Sequence, residues 1–309
     1  MEIGIFTRVY QNIAAEKAFE AISQHQIKNI EITANRGSLH LDLDSAMQLD
    51  YKEKYMGWLQ QFNLNITALS IHRDSQLVLG PHGEATKHFY NGNEEEQISF
   101  GVRRAKLAAQ VAHDYDIPVV VGLLGVCDFS QWYPWPYKEG WNKQKEIAKS
   151  RWIPILEYYD KLGVKFAHEI GLQQIAYNLE TAEEISELFN ASCFGFCVDP
   201  SNLILSGVDP SIAIERLGAK VFNFHGKDIE FTNRLSISGW MSHGDLNRQN
   251  RGFRFRIPGW GDVNWKKVLT SLKSIGYNGV ISIEIEDGFV NVEEAIIKSK
   301  QFLTPILFE

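Results

Sequence analysis

The chain has 309 residues and a formal net charge of -7 at pH 7, with 44% hydrophobic, 22% charged and 12% aromatic residues. This composition excludes a disordered chain, and the negative balance argues against a protein that binds nucleic acid by neutralising phosphates. Cys127, Cys193 and Cys197 form no CxxC pair, no apolar run reaches the roughly 20 residues that span a bilayer, and MEIGIF lacks a signal-peptide pattern, so reduced thiols, no membrane partner and a cytoplasmic location are expected.

From the N-terminus onward, short β-rich runs alternate with longer segments of helical period, the signature of repeated βα units. Strand 1 at 2–6 precedes a helix at 13–24, strand 2 at 28–32 a helix at 45–62, and strand 3 at 65–71 a helix at 94–114. Strand 4 at 117–122 leads to a helix at 142–162, strand 5 at 164–169 to 181–189, and strand 6 at 194–198 to 211–217. Strands 7 and 8, at 221–225 and 280–285, lead to helices at 265–275 and 292–303. Thr181 ahead of Glu183 and Glu184, and Asp209 ahead of Pro210, are helix starts, whereas Gly163, Gly218 and Gly276 read as C-caps.

Eight such units predict an α/β fold, a single (β/α)8 TIM barrel domain over residues 1–309, with long loops after strands 4 and 7. Those loops, 127–141 and 229–262, follow strands and therefore belong to the face on which barrels carry their sites. The first is rich in Trp, Tyr and Pro. It offers Trp135 as a stacking surface for a sugar or aglycone, or it serves as a lid on the rim.

Four apolar runs end in a chemically active side chain. VKFAHE ends on Glu169, GFCVDPSN carries Asp199, VFNFHGKD carries His225, and VISIEIED carries Glu284. Three carboxylates and one imidazole suit one divalent metal ion, Mn²⁺ first, with Mg²⁺, Co²⁺ or Zn²⁺ as alternatives. Such an ion would polarise a ketone, and Glu169 and Glu284 on opposite sides of the barrel mouth would remove and return protons on the two faces of an enediolate. His168 either packs under a helix, as strand alternation implies, or acts as a base if the strand has ended. Around this set, His72 and Asn202 are expected to contact substrate. Lys227 and Asp228 either contact it or pair with each other, Glu286 binds hydroxyls or braces the site, and Arg256, in the basic run 248–256, either folds over the site or lies on a solvated loop.

These segments carry a resemblance. HEI at 168–170, FCVDPSNLILSGVDP, VFNFHGKD, GFRFRIPGWGDVNWKKVL and GYNGVISIEIED are similar to the sugar phosphate isomerase/epimerase family, which has the xylose isomerase-like barrel, and the resemblance covers nearly the whole chain. It implies one divalent metal on Glu169, Asp199, His225 and Glu284, with the two glutamates as acid and base. The chain departs from the family pattern at Asn202 and Gly171, where members similar in these segments carry histidines.

The function expected is a metal-dependent sugar isomerase or epimerase acting on a ketose or related polyol by proton abstraction α to a carbonyl. The alternatives are a lyase that cleaves 3-keto-glycosides by β-elimination on the same site, or a catalytically reduced sugar-binding barrel. The partner is a small-molecule sugar or glycoside, with no nucleic acid, and a homo-oligomer is compatible with the sequence. A zinc-cluster nuclease on the same barrel would need more histidines and a basic groove.

Overall fold

The computed structural model describes residues 1–127, 139–233, 235–239 and 251–308. Eight parallel strands close into a barrel: β1 (Glu2–Phe6), β2 (Asn29–Thr33), β3 (Asn65–Ser70), β4 (Val119–Gly122), β5 (Lys165–Glu169), β6 (Phe194–Val198), β7 (Val221–Gly226) and, after the two-stranded ribbon β8 (Asp228–Phe231) and β9 (Phe253–Arg256), β10 (Val280–Ile283). β1 closes the ring, pairing through Gly4 with Asn29 of β2 and through Glu2 with Val280 of β10. All eight expected strands form, each within two residues of its expected limits.

Alternation along the strands sorts the side chains. Phe166 and His168 of β5, Phe194, Phe196 and Val198 of β6, Phe224 of β7, and Ile281 and Ile283 of β10 are buried, as parallel strands covered by helices require. The intervening positions turn to the barrel axis. There Ala68, Val119, Val121, Ala167 and Cys197 pack as a small cluster of their own, and the same parity continues to Glu169, Asp199, His225 and Glu284.

The helices follow their local signals with two revisions. Residues 45–62 form two helices, Leu43–Ala46 and Leu49–Gln61, because Asp42 caps the first and the chain extends at Gln48 before the second. The fifth helix, Leu179–Phe189, begins ahead of Thr181: Asn178 is its cap, and the two side chains bond each other's backbone N–H reciprocally. Gly163 is a left-handed C-cap at φ +68°. Among the described residues, no helix is long and apolar enough to cross a membrane.

The long connection after β7 is partly ordered as a sheet. β8 and β9 pair antiparallel, Asp228 opposite Arg256 and Phe231 opposite Phe253, so FRFR is an alternating strand and not an open basic loop. Trp135 and residues 240–250 lie outside the described residues.

Candidate active site

Glu169, Asp199, His225 and Glu284 meet at the C-terminal ends of β5, β6, β7 and β10, and one ligand atom from each lies within 4.8 Å of all the others. His225 Nδ1 is 3.2 Å from Glu284 Oε2 and 3.4 Å from Glu169 Oε1, yet it is buried without a hydrogen bond. Asp199 divides its oxygens. Oδ1 caps the helix Pro200–Leu205, accepting from Ser201 N at 2.8 Å and Ser201 Oγ at 2.7 Å, and this leaves Oδ2 on the cluster, 2.8 Å from Lys227 Nζ. A divalent cation fits this donor set: three carboxylates and one imidazole converge, and the buried Nδ1 has no hydrogen-bond partner.

The surroundings fix the charges. Burial works against ionised Glu169, but the facing His225 and His72 more than offset it and hold the carboxyl well below the usual range. Glu284 is likewise lowered, burial being outweighed by Lys227 and His225. Asp199 goes the other way. Burial pushes it up to about 6, aided by Glu169 and Glu284 and only partly countered by Lys227. Lys227 is buried yet held well above its ordinary value by Asp199, Glu284 and Glu286, which offset the cost of burial.

The cluster opens into a cavity of about 650 Å³, within the range of small-molecule sites. His72, Asn202, Lys227 and Glu286 all line it. His72 Nε2 is 2.8 Å from Glu169 Oε2, with Nδ1 2.6 Å from Ser70 Oγ, and Asn202 Nδ2 donates to Glu169 Oε1 at 2.9 Å. Gly171 also lines the cavity, and a Cβ added there would stand 3.7 Å from Asn202 Nδ2. The two departures from the family pattern are therefore neighbours in space.

Three expectations are corrected. Asp228 faces away from the cavity and binds its own loop: Oδ1 accepts from Ile229 N at 2.8 Å and Val263 N at 3.0 Å, and Oδ2 from Gly259 N at 2.9 Å and Trp265 Nε1 at 2.8 Å. Those bonds occupy its acceptor capacity, so it braces the loop, and its partner is not Lys227. Arg256 is absent from the cavity lining and is taken up by Asp287 at 2.8 Å and Glu230 at 2.5 Å. His168 lies within β5 and turns outward. It is fully buried, its Nδ1 accepts from Leu124 N at 3.2 Å, and burial lowers it to about 4. A neutral, outward-facing imidazole does not serve as base for a substrate in the cavity.

Two participants went unnoticed in the sequence. Glu31 of β2 has a fully buried side chain, with Oε2 3.1 Å from His225 Nε2 and accepting from Asn223 Nδ2 at 2.9 Å. A carboxylate behind a histidine fixes its ring and tautomer, here directing Nδ1 of His225 at the cluster, and Phe6 stacks on the same ring at 5.7 Å. Arg8 reaches Glu286 at 2.6 Å and Glu284 at 3.3 Å. The signal for Glu31 was available: NIEIT alternates, so its one acid falls on the barrel axis with Asn29 and Thr33.

A closed parallel barrel with an acid-rich cluster at the C-terminal ends of its strands is a chemical site on a fold used for many reactions. The chain belongs to the xylose isomerase-like TIM barrel family, whose model matches residues 19–306. Over 98% of both chains it is 26% identical to YfiH of Bacillus subtilis, a protein of uncharacterised function. It is 24% identical to an inosose dehydratase of Lacticaseibacillus casei over 183 residues, 54% of this chain and 58% of the relative. Among solved structures it resembles the IolI protein with a bound zinc atom (19% identity, 99% and 98% of the two chains, TM-score 0.69). A D-tagatose 3-epimerase-like protein is similarly close in fold (20% identity, 99% and 97%, TM-score 0.68).

Proposed function

We propose that this protein is a divalent-metal-dependent, sugar-modifying enzyme that abstracts the proton α to the carbonyl of a keto-sugar or related polyol, as an isomerase or epimerase. The observation that carries the reading is the pair Glu169 and Glu284. Both carboxylates are held below the usual carboxylate range by their buried neighbours, His225 beside Glu169 and Lys227 with His225 beside Glu284, and both belong to the donor set suited to a metal and face one cavity. The family and the similarity to proteins named for sugar chemistry, an inosose dehydratase and an epimerase-like protein, support it.

Glu169, Asp199, His225 and Glu284 would hold the ion, Mn²⁺ by preference for an oxygen-rich set, although the zinc in the IolI structure keeps zinc open. When bound, the ion supplies Lewis acidity to the substrate's carbonyl oxygen. Glu169 takes the α proton, its orientation fixed by Asn202 and His72. Glu284, once it has taken a proton from solvent in the cavity, returns it to the other face of the planar enediolate while Glu169 releases its own proton to solvent, and each such transfer contributes about 10²–10⁴-fold. His72 and Lys227 donate hydrogen bonds to substrate hydroxyls from the cavity wall. A second reading starts from the same abstraction and expels a group from the β carbon, and the match to an inosose dehydratase favours it.

The test is proton NMR in D₂O with Mn²⁺-loaded protein and a panel of ketoses, keto-cyclitols and 3-keto-glycosides. Deuterium at the α carbon of an epimerised product supports the first reading, and an unsaturated product with a released group supports the second. Exchange should be lost in Glu169→Gln and Glu284→Gln, and metal content should fall in His225→Ala. Absence of both exchange and elimination from the metal-loaded protein would leave the sugar-binding barrel as the better account.

A further inference from the structure

Although the chain carries a net charge of -7, its cavity is lined by Arg8, Arg36, Arg73, Lys227 and Arg251. The carboxylates that share this lining already have partners: Glu169 with His72 and His225, Glu284 with Lys227, and Glu286 with Arg8. Among the described residues, Arg36 and Arg73 have no carboxylate in ion-pair contact. The backbone segments that carry them are tied together.

A reciprocal clamp does this. Arg36 N donates to both oxygens of Asp74 at 3.0 Å, while Asn35 Oδ1 accepts from Arg73 N at 2.8 Å and Asp74 N at 3.3 Å. Buried Arg104 holds Asp74 from behind at 2.6 Å. The two guanidinium groups then lie over neighbouring rings, Arg36 5.7 Å from the centre of Tyr90 and Arg73 5.9 Å from that of Phe89. Arg73 directly follows His72, which touches Glu169. Arg8, Arg36 and Arg73 all line the cavity, and Arg8 adds a like charge that acts on Arg73, so an anion in the cavity offsets positive charge while accepting paired N–H bonds from exposed guanidinium groups.

We infer that Arg36 and Arg73 form an anion subsite for a carboxylate or phosphate carried by the substrate, which makes that substrate an acidic keto-sugar. The inference rests on the proposed chemistry for the word keto-sugar and on the clamp alone for the anion. Calorimetry on EDTA-treated protein separates the two, with glucuronate, glucose 6-phosphate, inorganic phosphate and glucose as probes. Glucuronate or glucose 6-phosphate should bind more tightly than glucose, and the tighter of the two identifies the anion. Arg36→Gln and Arg73→Gln should each weaken that binding by about tenfold or more, while Arg216→Gln, outside the cavity, leaves it unchanged. Anions that bind no better than glucose, or that bind equally well to the double variant, would overturn the subsite. The NMR panel then reads the chemistry independently. Exchange on neutral ketoses without tighter binding of glucuronate or glucose 6-phosphate than of glucose removes only the subsite, whereas anion binding without exchange on any keto-sugar removes only the proposed reaction.

Discussion

On the wall built from β5, β6, β7 and β10, the charges are buried and interlocked: His225 touches Glu31, Glu169 and Glu284, and Lys227 touches Asp199, Glu284 and Glu286. On the wall built from the segments after β2 and β3, the backbone is clamped but the Arg36 and Arg73 side chains stand exposed in solvent. The contrast follows from desolvation. A charge out of water must be neutralised by partners, whereas an exposed guanidinium keeps its hydration and remains available to a ligand. The buried wall is thus suited to moving protons and holding a metal, and the exposed one to recognising what arrives.

The largest effect should come from breaking the clamp beneath the exposed wall. Asp74→Ala strands Arg104, only 1% exposed, as a buried charge with reduced compensation. It should cost about 3–5 kcal/mol in urea unfolding, and a loss below about 1 kcal/mol would mean that the clamp is not what holds this wall. On the buried wall, Glu31→Gln should weaken Mn²⁺ binding about 10–100-fold by calorimetry. An unchanged affinity would show that His225 is oriented without Glu31.

A smaller, pH-dependent effect is expected at His40, which bonds Thr7 Oγ1 at 2.9 Å and Tyr10 O at 3.0 Å and so ties the Arg36 segment to the one after β1. Burial lowers its ring below the ordinary value, against the raising effect of its backbone hydrogen bonds. The unfolded chain therefore protonates first as pH falls below about 6.5, so this contribution is complete above that pH and drains away below it. Urea midpoints between pH 8 and 5 should decline less in His40→Gln than in the parent chain. The smallest effect belongs to Arg73→Gln, which should leave stability within about 0.5 kcal/mol while altering ligand binding. A large loss of stability would make Arg73 a structural residue.

The same contrast explains what the sequence disclosed. The buried wall was legible because each of its strands is a mostly apolar run that ends in polar groups at its C-terminal end, so that Glu169, Asp199, His225 and Glu284 stand out against their neighbours. Arg36 and Arg73 lie 37 positions apart in polar surroundings, and only the hydrogen bonds between their loops unite them. Arg256 misled for the converse reason. In FRFR its charge looked like part of a basic loop, but pairing of β9 with β8 set it beside Glu230 and Asp287. Asp228 and Lys227 are adjacent in sequence, and strand parity sends them to opposite sides.

The barrel seam has a consequence for how the protein is made. β1 forms one edge of the closure and β10 supplies the strand that bridges it to β7, through Glu2 with Val280 and Ile281 with Phe224. During synthesis, β1 and β7 therefore wait with unpaired edges until residues near 280 have left the ribosome, and such long-range pairing is slow. Glu284 follows immediately, so the cluster is completed by the same event that closes the ring. A nascent chain stopped short of β10 would offer two adhesive edges and an unfinished cluster, which makes this seam the place where chaperone dependence and loss of activity should coincide.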